Sequence, residues 1–161
     1  MCTSIDRDAS ELLYRKIKKN GVGYAWKLIG VDKTGGYHSP FQHVSLNKTG
    51  YNSVDFKPWY SEAEQNSIKI GFGCFHFFLT REDGRKALKW MYSYEMGYAN
   101  NGIPKSGINY RRFGSTYKVV KVSFRAADFV AVGRVGKDWA DIWNLNNRPH
   151  SLCAKGFEFV E

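Results

Sequence analysis

The 161-residue chain has few cysteines and prolines, and it contains no long hydrophobic run. Its three cysteines, Cys2, Cys74 and Cys153, form neither an even set nor a close pair, so no disulfide framework is expected and a reducing compartment fits. No apolar stretch approaches the roughly 18 residues needed to span a bilayer, and the N-terminal sequence lacks the basic and apolar regions of a secretory signal. We therefore predict a cytoplasmic protein with no membrane partner.

Several motifs that mark enzyme classes are also missing. The sequence has no P-loop, no G-x-S-x-G, no H-E-x-x-H and no dinucleotide-binding fingerprint, which weighs against the phosphate-binding and hydrolase classes that these motifs mark. It also has no internal repeat and no change in composition that would mark a domain boundary. A chain of this length fits one domain with a sizeable core, so we predict a single globular domain over residues 1–161.

Basic residues are in clear excess over acidic ones. The 24 Lys and Arg against 15 Asp and Glu give a net charge of +9, and the second half of the chain carries the larger share of the surplus. Such a surplus attracts nucleic-acid backbones, anionic membranes or acidic protein surfaces. The alternative is that the charge serves solubility alone.

Two helices are indicated by their capping residues and periodicity. The first lies in "DASELLYRKIKKNG", with Asp8 as its N-cap, Gly21 as a left-handed stop, and Leu12, Leu13 and Ile17 on the buried side. The second begins at Thr80 and ends before Gly97. The stretch "KDWADIWNL" could form a further short helix.

Strands account for most of the remaining pattern. Residues 24–31 and 37–46 form a predicted hairpin, and residues 68–79 form one central strand whose alternation places Cys74 and His76 in the core. Residues 116–124, 128–135 and 156–161 supply later strands. The prediction is an α+β domain with a bent, mostly antiparallel sheet of about six or seven strands and two main helices.

A resemblance is carried by "GFGCFHFF", then "REDGRKALKW", then "YKVVKVSFRAADFVAVG". This order resembles a group of small uncharacterised proteins of phages and mobile elements. It covers about residues 68–135. The resemblance implies a phage-type origin and a role in the host cytoplasm, and it transfers no catalytic residue.

Metal binding and thiol chemistry are not expected from the spacing of Cys and His. His150 and Cys153 are three residues apart and could chelate together, but no second close pair accompanies them. Cys74 and His76 alternate with Ile and Phe, which favours a packed thiol and a hydrogen-bonded core histidine. We predict no metal site, no cofactor and no catalytic residue, with Cys74 and His76 in structural roles.

The predicted binding surface lies in and after a long loop over residues 98–115. Loops of this length are uncommon unless they are functional or disordered. The surface combines cations with an aromatic ring, the pairing that follows a nucleic-acid backbone and stacks bases. Its members are Lys105, Tyr110, Arg111 and Arg112, extended by Lys118 and Lys121. We predict a non-enzymatic accessory protein that binds a host nucleic acid or nucleoprotein and so inhibits a host defence system; an acidic protein surface is equally compatible as the partner.

An NAD-dependent enzyme is the alternative. A small bent sheet with a "GF-x-x-F" strand that enters a helix is similar to the central part of some ADP-ribosyltransferase-like proteins. The resemblance implies a pyrophosphate-binding cation at Arg111 or Arg112, a Ser/Thr segment at residues 114–116, and a glutamate at Glu158 or Glu161. The sequence departs from this pattern, because no Glu-x-Glu pair occurs and the basic residues directly precede the Ser/Thr segment.

Overall fold

A computed structural model describes residues 3–40, 44–55, 60–63, 67–70, 73–89, 116–136 and 148–160. These residues contain two α-helices and twelve strands, so the α+β class is confirmed and the predicted six or seven strands are too few. The helices are α1, Arg7–Asn20, and α2, residues 81–89. The strands are β1 Thr3–Ile5, β2 Val22–Val31, β3 Tyr37–His38, β4 Ser45–Leu46, β5 Asn52–Ser53, β6 Tyr60–Ala63, β7 Ser67–Ile70, β8 Phe75–Phe78, β9 Thr116–Arg125, β10 Phe129–Val135, β11 His150–Ala154 and β12 Gly156–Phe159.

All twelve strands belong to one sheet. Its order is β5-β12-β9-β2-β8-β11-β10-β1-β7-β6, with β3 attached to β2 and β4 attached to β3. Every pair of neighbours in it is antiparallel. The longest ladder joins β2 to β9, from Val22 opposite Arg125 to Val31 opposite Thr116, without a bulge. The hairpin of β2 and β3 agrees with the prediction.

The sheet is strongly curved, as the sequence predicted. β12 and β1 each lie three places from β8 in the sheet order. In a flat sheet, strands three places apart are separated by about 14 Å. However, the rings of Phe157 on β12 and Phe75 on β8 are 4.9 Å apart, and Thr3 on β1 reaches His76 on β8 at 3.1 Å. Phe75 and His76 are adjacent and point to opposite faces, so the sheet curls in opposite directions on the two sides of β8.

The helix starts and the end of α1 carry the local signals expected of them, with one correction; the predicted end of α2 before Gly97 lies outside the described residues. The N-cap of α1 is Asp6, whose side chain accepts a hydrogen bond from the Ala9 amide at 2.9 Å, and not Asp8, which lies in the first turn and complements the helix dipole. Gly21 ends α1 at φ 75°, as predicted. At α2, the Thr80 hydroxyl accepts from the Asp83 amide at 3.0 Å, which confirms that cap.

The buried side of α1 is narrower than predicted. Ile17 is buried and Leu13 packs against the core, whereas Leu12 is 58% exposed. Among the described segments, neither helix combines the length and the apolar character that a bilayer-spanning helix needs.

The predicted central strand over residues 68–79 is two strands in the structure. β7 pairs with β1 and β6, whereas β8 pairs with β11 and β2 in another part of the sheet. Gly73, at φ 83°, has a left-handed backbone conformation, which glycine adopts readily, and it interrupts the alternation of the strand. β8 itself is central, with all four residues buried, as predicted. β1, β6 and β11 were not predicted, and the predicted helix over residues 137–145 lies outside the described residues.

Candidate functional site

A cluster of buried polar side chains lies on one face of β8, β11 and β1. We call it the Cys–His cluster; it consists of Cys74, His76, Cys153, Thr3 and Ser151, which are all buried. Cys153 on β11 stands directly opposite His76 on β8. Because side chains two residues apart on a strand share a face, Cys74 and Ser151 join the same side.

Hydrogen bonds connect the members of this cluster. The Thr3 Oγ1 atom is 3.1 Å from His76 Nδ1 and 2.8 Å from Ser151 Oγ. Cys153 Sγ lies 3.3 Å from both Thr3 Oγ1 and His76 Nδ1. Neither Cys74 nor Cys153 forms a disulfide. The sulfur atoms and the imidazole nitrogen lie within 4.8 Å of one another, so Cys74, His76 and Cys153 could hold a metal ion.

The opposite face of β8 carries a buried lysine in an aromatic cage. Lys27 on β2 is 3% exposed, and its Nζ lies 4.9 Å from the ring centre of Phe77 and 5.3 Å from those of Phe75 and Phe157. Its Nζ donates to the main-chain carbonyl of His76 at 3.3 Å. The ammonium therefore contacts the same strand as the Cys–His cluster, from the other side.

The two faces influence each other electrostatically. Burial lowers the pKa of Lys27 from its usual 10.5 to about 7, and the charges of Cys74 and Cys153 partly oppose that shift. The pKa of Cys74 is lowered to about 5, first by its hydrogen bond with Cys153 and then by His76 and Lys27, while burial acts in the opposite direction.

Sequence reasoning identified part of this cluster. The predicted burial of Cys74 and His76 and the hydrogen bonding of His76 agree with the structure. The contact with Cys153 was missed, because it depends on β11, a strand that the pattern did not indicate. His150, whose spacing from Cys153 was considered for chelation and set aside, lies three residues away on the same strand. It is half exposed, with Nδ1 at 3.8 Å from an Asp83 carboxylate oxygen.

A second candidate site is exposed on the β2–β9 outer face. We define this face by Tyr24 and Trp26 of β2, Lys121 and Arg125 of β9, and the neighbouring Tyr51 and Arg81. The register places Trp26 opposite Lys121. Three cations lie over three rings: Lys121 Nζ is 4.9 Å from the centre of Tyr24, and the guanidinium carbons of Arg125 and Arg81 are 4.1 Å and 5.5 Å from those of Tyr51 and Trp26.

The predicted binding residues Lys118 and Lys121 do not form one stripe. Both are exposed on β9, but three residues along a strand place their side chains on opposite faces. Lys118 donates to the Tyr37 hydroxyl at 2.7 Å and lies over the Tyr37 ring at 4.6 Å, whereas Lys121 belongs to the β2–β9 outer face. The other predicted binding residues, Lys105, Tyr110, Arg111 and Arg112, lie outside the described residues, as does the loop over residues 98–115.

The described residues that the ADP-ribosyltransferase-like alternative requires lie far apart. Thr116 begins β9, and Glu158 on β12 stands opposite Ser123, seven residues further along β9. That separation is about 23 Å at the rise of a strand. Arg111, Arg112 and Glu161 lie outside the described residues.

A basic groove lies beside α1. It has a volume of about 580 Å³ and is lined by apolar residues including Leu12 and Leu13 and by the cationic side chains of Lys16, Arg134 and Arg148. Arg134 Nη1 donates to the Arg148 carbonyl at 3.0 Å, which fixes one side of the groove. This groove is a further anionic-ligand candidate, and the imidazole of His150 is the one ring among its described lining residues.

Comparison with known proteins gives no assignment: no family model, no curated protein and no solved structure matches this chain.

Proposed function

We propose that the protein is a non-enzymatic accessory protein that binds single-stranded nucleic acid, alone or in a nucleoprotein, through its β2–β9 outer face. The observation that carries the proposal is a set of three cation-aromatic pairs at the β2–β9 outer face, to which α2 contributes Arg81 and the segment before β5 contributes Tyr51. Rings on an open sheet face stack bases, and the cations beside them contact phosphates. The net charge of +9 favours the encounter with a polyanion.

Exposure of the Tyr24 ring supports stacking on this face, where Trp26 and Tyr51 are partly buried. Tyr24 is 55% exposed, and Lys121 and Arg125 are exposed on either side of it in the ladder. A ring of this exposure presents enough surface to contact a base without unfolding the sheet. Stacking on such a ring contributes about 1–3 kcal/mol per base.

Two carboxylates lie near the same face and reduce its charge. Glu158 lies 3.3 Å from the Ser123 hydroxyl, and Asp128 accepts a hydrogen bond from the Tyr51 hydroxyl at 2.6 Å. Three cations against these two anions leave a small positive excess. Binding through this face therefore depends on stacking together with phosphate contacts, which fits a single strand with exposed bases better than a duplex.

The phage-type origin inferred from the sequence directs the choice of target. A host nucleic acid or a nucleoprotein of a defence system is the hypothesis to test first. Pull-down from host lysate with and without nuclease separates nucleic-acid-dependent from protein-dependent capture. Capture that survives nuclease would instead support an acidic protein partner.

The direct test is fluorescence anisotropy with a labelled single-stranded oligonucleotide and the matching duplex. Tyr24→Leu should weaken single-strand binding about 5- to 150-fold, the loss of one stacked base, while Tyr24→Phe should bind as the wild type does. Replacing Lys121 and Arg125 together by Ala should lower the salt slope by about 1.4, which corresponds to two phosphate contacts with a single strand.

The matched control removes the same charge from another place. Lys18 and Lys19 are exposed at the end of α1, so replacing both by Ala lowers the net charge equally without touching the β2–β9 outer face. If this control weakens binding as much as the Lys121 and Arg125 pair does, only bulk charge matters. If only Lys16→Ala and Arg134→Ala weaken it, the contact lies in the basic groove and the proposal is wrong.

A further inference from the structure

The Cys–His cluster combines two thiols and one imidazole at the mutual distances of metal ligands. The Cys74 and Cys153 sulfurs and the His76 nitrogen lie within 4.8 Å of one another, and Cys153 Sγ is 3.3 Å from His76 Nδ1. Ligand atoms bound at about 2.0–2.3 Å to a tetrahedral zinc ion stand about 3.3–3.8 Å apart. An ion therefore fits among these atoms after small shifts that bring each separation into this range.

The Thr3 hydroxyl contacts two of these three ligand atoms and offers a fourth polar atom. Thr3 Oγ1 lies 3.1 Å from His76 Nδ1 and 3.3 Å from Cys153 Sγ, so these three atoms form a nearly equilateral triangle. Ser151 hydrogen-bonds the same hydroxyl at 2.8 Å and orients it from outside. The cluster thus has four polar atoms and a supporting hydrogen bond.

The strands hold these side chains from three directions. Cys74 directly precedes β8 and His76 lies on it. Cys153 is the opposing residue of β11, and Thr3 comes from β1, which the curvature of the sheet brings over the other two strands. All four are buried, and Cys74 and Cys153 are 1% and 0% exposed. Ligands fixed in this way by a sheet are preorganised for a closed site.

We propose that Cys74, His76 and Cys153 bind a structural zinc ion, with the Thr3 hydroxyl at the fourth corner. Thiolate and imidazole ligands in a tetrahedral arrangement select zinc over the hard cations that prefer carboxylates. Each thiol loses its proton on binding, and two thiolates cancel the charge of the dication, so the loaded site adds no net charge beside Lys27. Because the site is closed, the ion enters as the chain folds.

Metal content of the purified chain tests the proposal directly. The full chain, prepared without a metal-affinity tag, should contain one zinc ion per molecule by elemental analysis. Refolded with Co²⁺, it should show the visible absorption and the sulfur-to-metal charge-transfer bands of a tetrahedral thiolate site. Cys74→Ser and Cys153→Ser should each lose most of the bound metal and shift these bands. His150→Asn, on the same strand as Cys153 but outside the cluster, should retain both.

A second measurement applies even if the variants fail to fold. The wild-type chain, unfolded in guanidinium with a chelator and then refolded, should regain its native circular dichroism and its resistance to a thiol reagent only when Zn²⁺ is returned. Full refolding without metal, together with no zinc in the purified chain and no uptake in equilibrium dialysis, would show that the cluster is a hydrogen-bonded network alone. A mass two hydrogens lower before reduction would show a Cys74–Cys153 disulfide and would also overturn the proposal.

Discussion

Replacing Lys27 by Met tests whether the buried ammonium destabilises the fold. Lys27 is almost wholly buried, and burial lowers its pKa from 10.5 to about 7. One pKa unit corresponds to about 1.4 kcal/mol, so the charged form is disfavoured in the folded chain by about 4–5 kcal/mol relative to the unfolded chain. Methionine has a similar length and no charge, so it fills the same space among Phe75, Phe77 and Phe157.

The sign of the pH dependence follows from the direction of this shift. Between about pH 7 and pH 10.5, the unfolded chain keeps the Lys27 proton while the folded chain has released it, so this residue makes wild-type stability rise with pH. The free energy of unfolding of Lys27→Met should therefore exceed that of the wild type by the largest amount at pH 7 and below. This difference should shrink by about 1.4 kcal/mol per pH unit above pH 7. The lost hydrogen bond to the His76 carbonyl subtracts a constant of about 1 kcal/mol.

Urea unfolding of both proteins at each pH measures this difference, and subtraction removes titrations that the two chains share. Lys121→Met, an exposed lysine on the neighbouring strand β9, is the control and should give a difference independent of pH. If the difference in unfolding free energy between Lys27→Met and the wild type is also independent of pH, Lys27 keeps its usual pKa. The aromatic cage would then not exclude water from the ammonium.

Three further substitutions test the fold by urea unfolding. Asp6→Ala removes the cap on the Ala9 amide and should cost about 1 kcal/mol, whereas Asp6→Asn should cost much less; equal losses would contradict the capping contact. Phe77→Ala empties a fully buried position packed against Phe124 and Phe157 and should cost about 3–5 kcal/mol, and a loss below about 1 kcal/mol would place Phe77 outside the core. Gly133→Ala would set a Cβ atom 1.7 Å from the Ser4 carbonyl oxygen, so it should cost about 3 kcal/mol or more, and a neutral result would refute the close approach of β1 to β10.

Local signals predicted the parts of the fold that depend on a few consecutive residues. Gly21 ends α1 and Thr80 caps α2 because each acts on backbone groups within four residues of itself. The β2–β3 hairpin follows from the turn residues between two extended segments. The predicted cap Asp8 was wrong by two positions, because Asp6 and Asp8 carry the same side chain and only the backbone shows which of them precedes the helix.

The sheet order could not be predicted, because it depends on contacts between distant segments. The alternation over residues 68–79 is continuous in the sequence, yet the chain turns near Gly73 and sends β7 and β8 to different neighbours. The sequence around Lys27 predicts a strand but does not indicate that this position is buried. Its burial depends on Phe75 and Phe157, which lie far away in the sequence. Likewise, the Cys–His cluster required Cys153 to stand opposite His76, 77 residues earlier.

Strand β8, together with Cys74 directly before it, separates two chemical environments. Phe75 and Phe77 face the aromatic core that surrounds Lys27, while Cys74 and His76 face the polar cluster with Cys153. A one-residue slip of β8 would exchange the two sets, placing the thiol and the imidazole among phenylalanines and the rings among hydroxyls. Both exchanges leave buried polar groups without partners, so the two faces together fix the register of the central strand. The His76 carbonyl, which accepts from Lys27 while its ring contacts Cys153, is where the two environments meet.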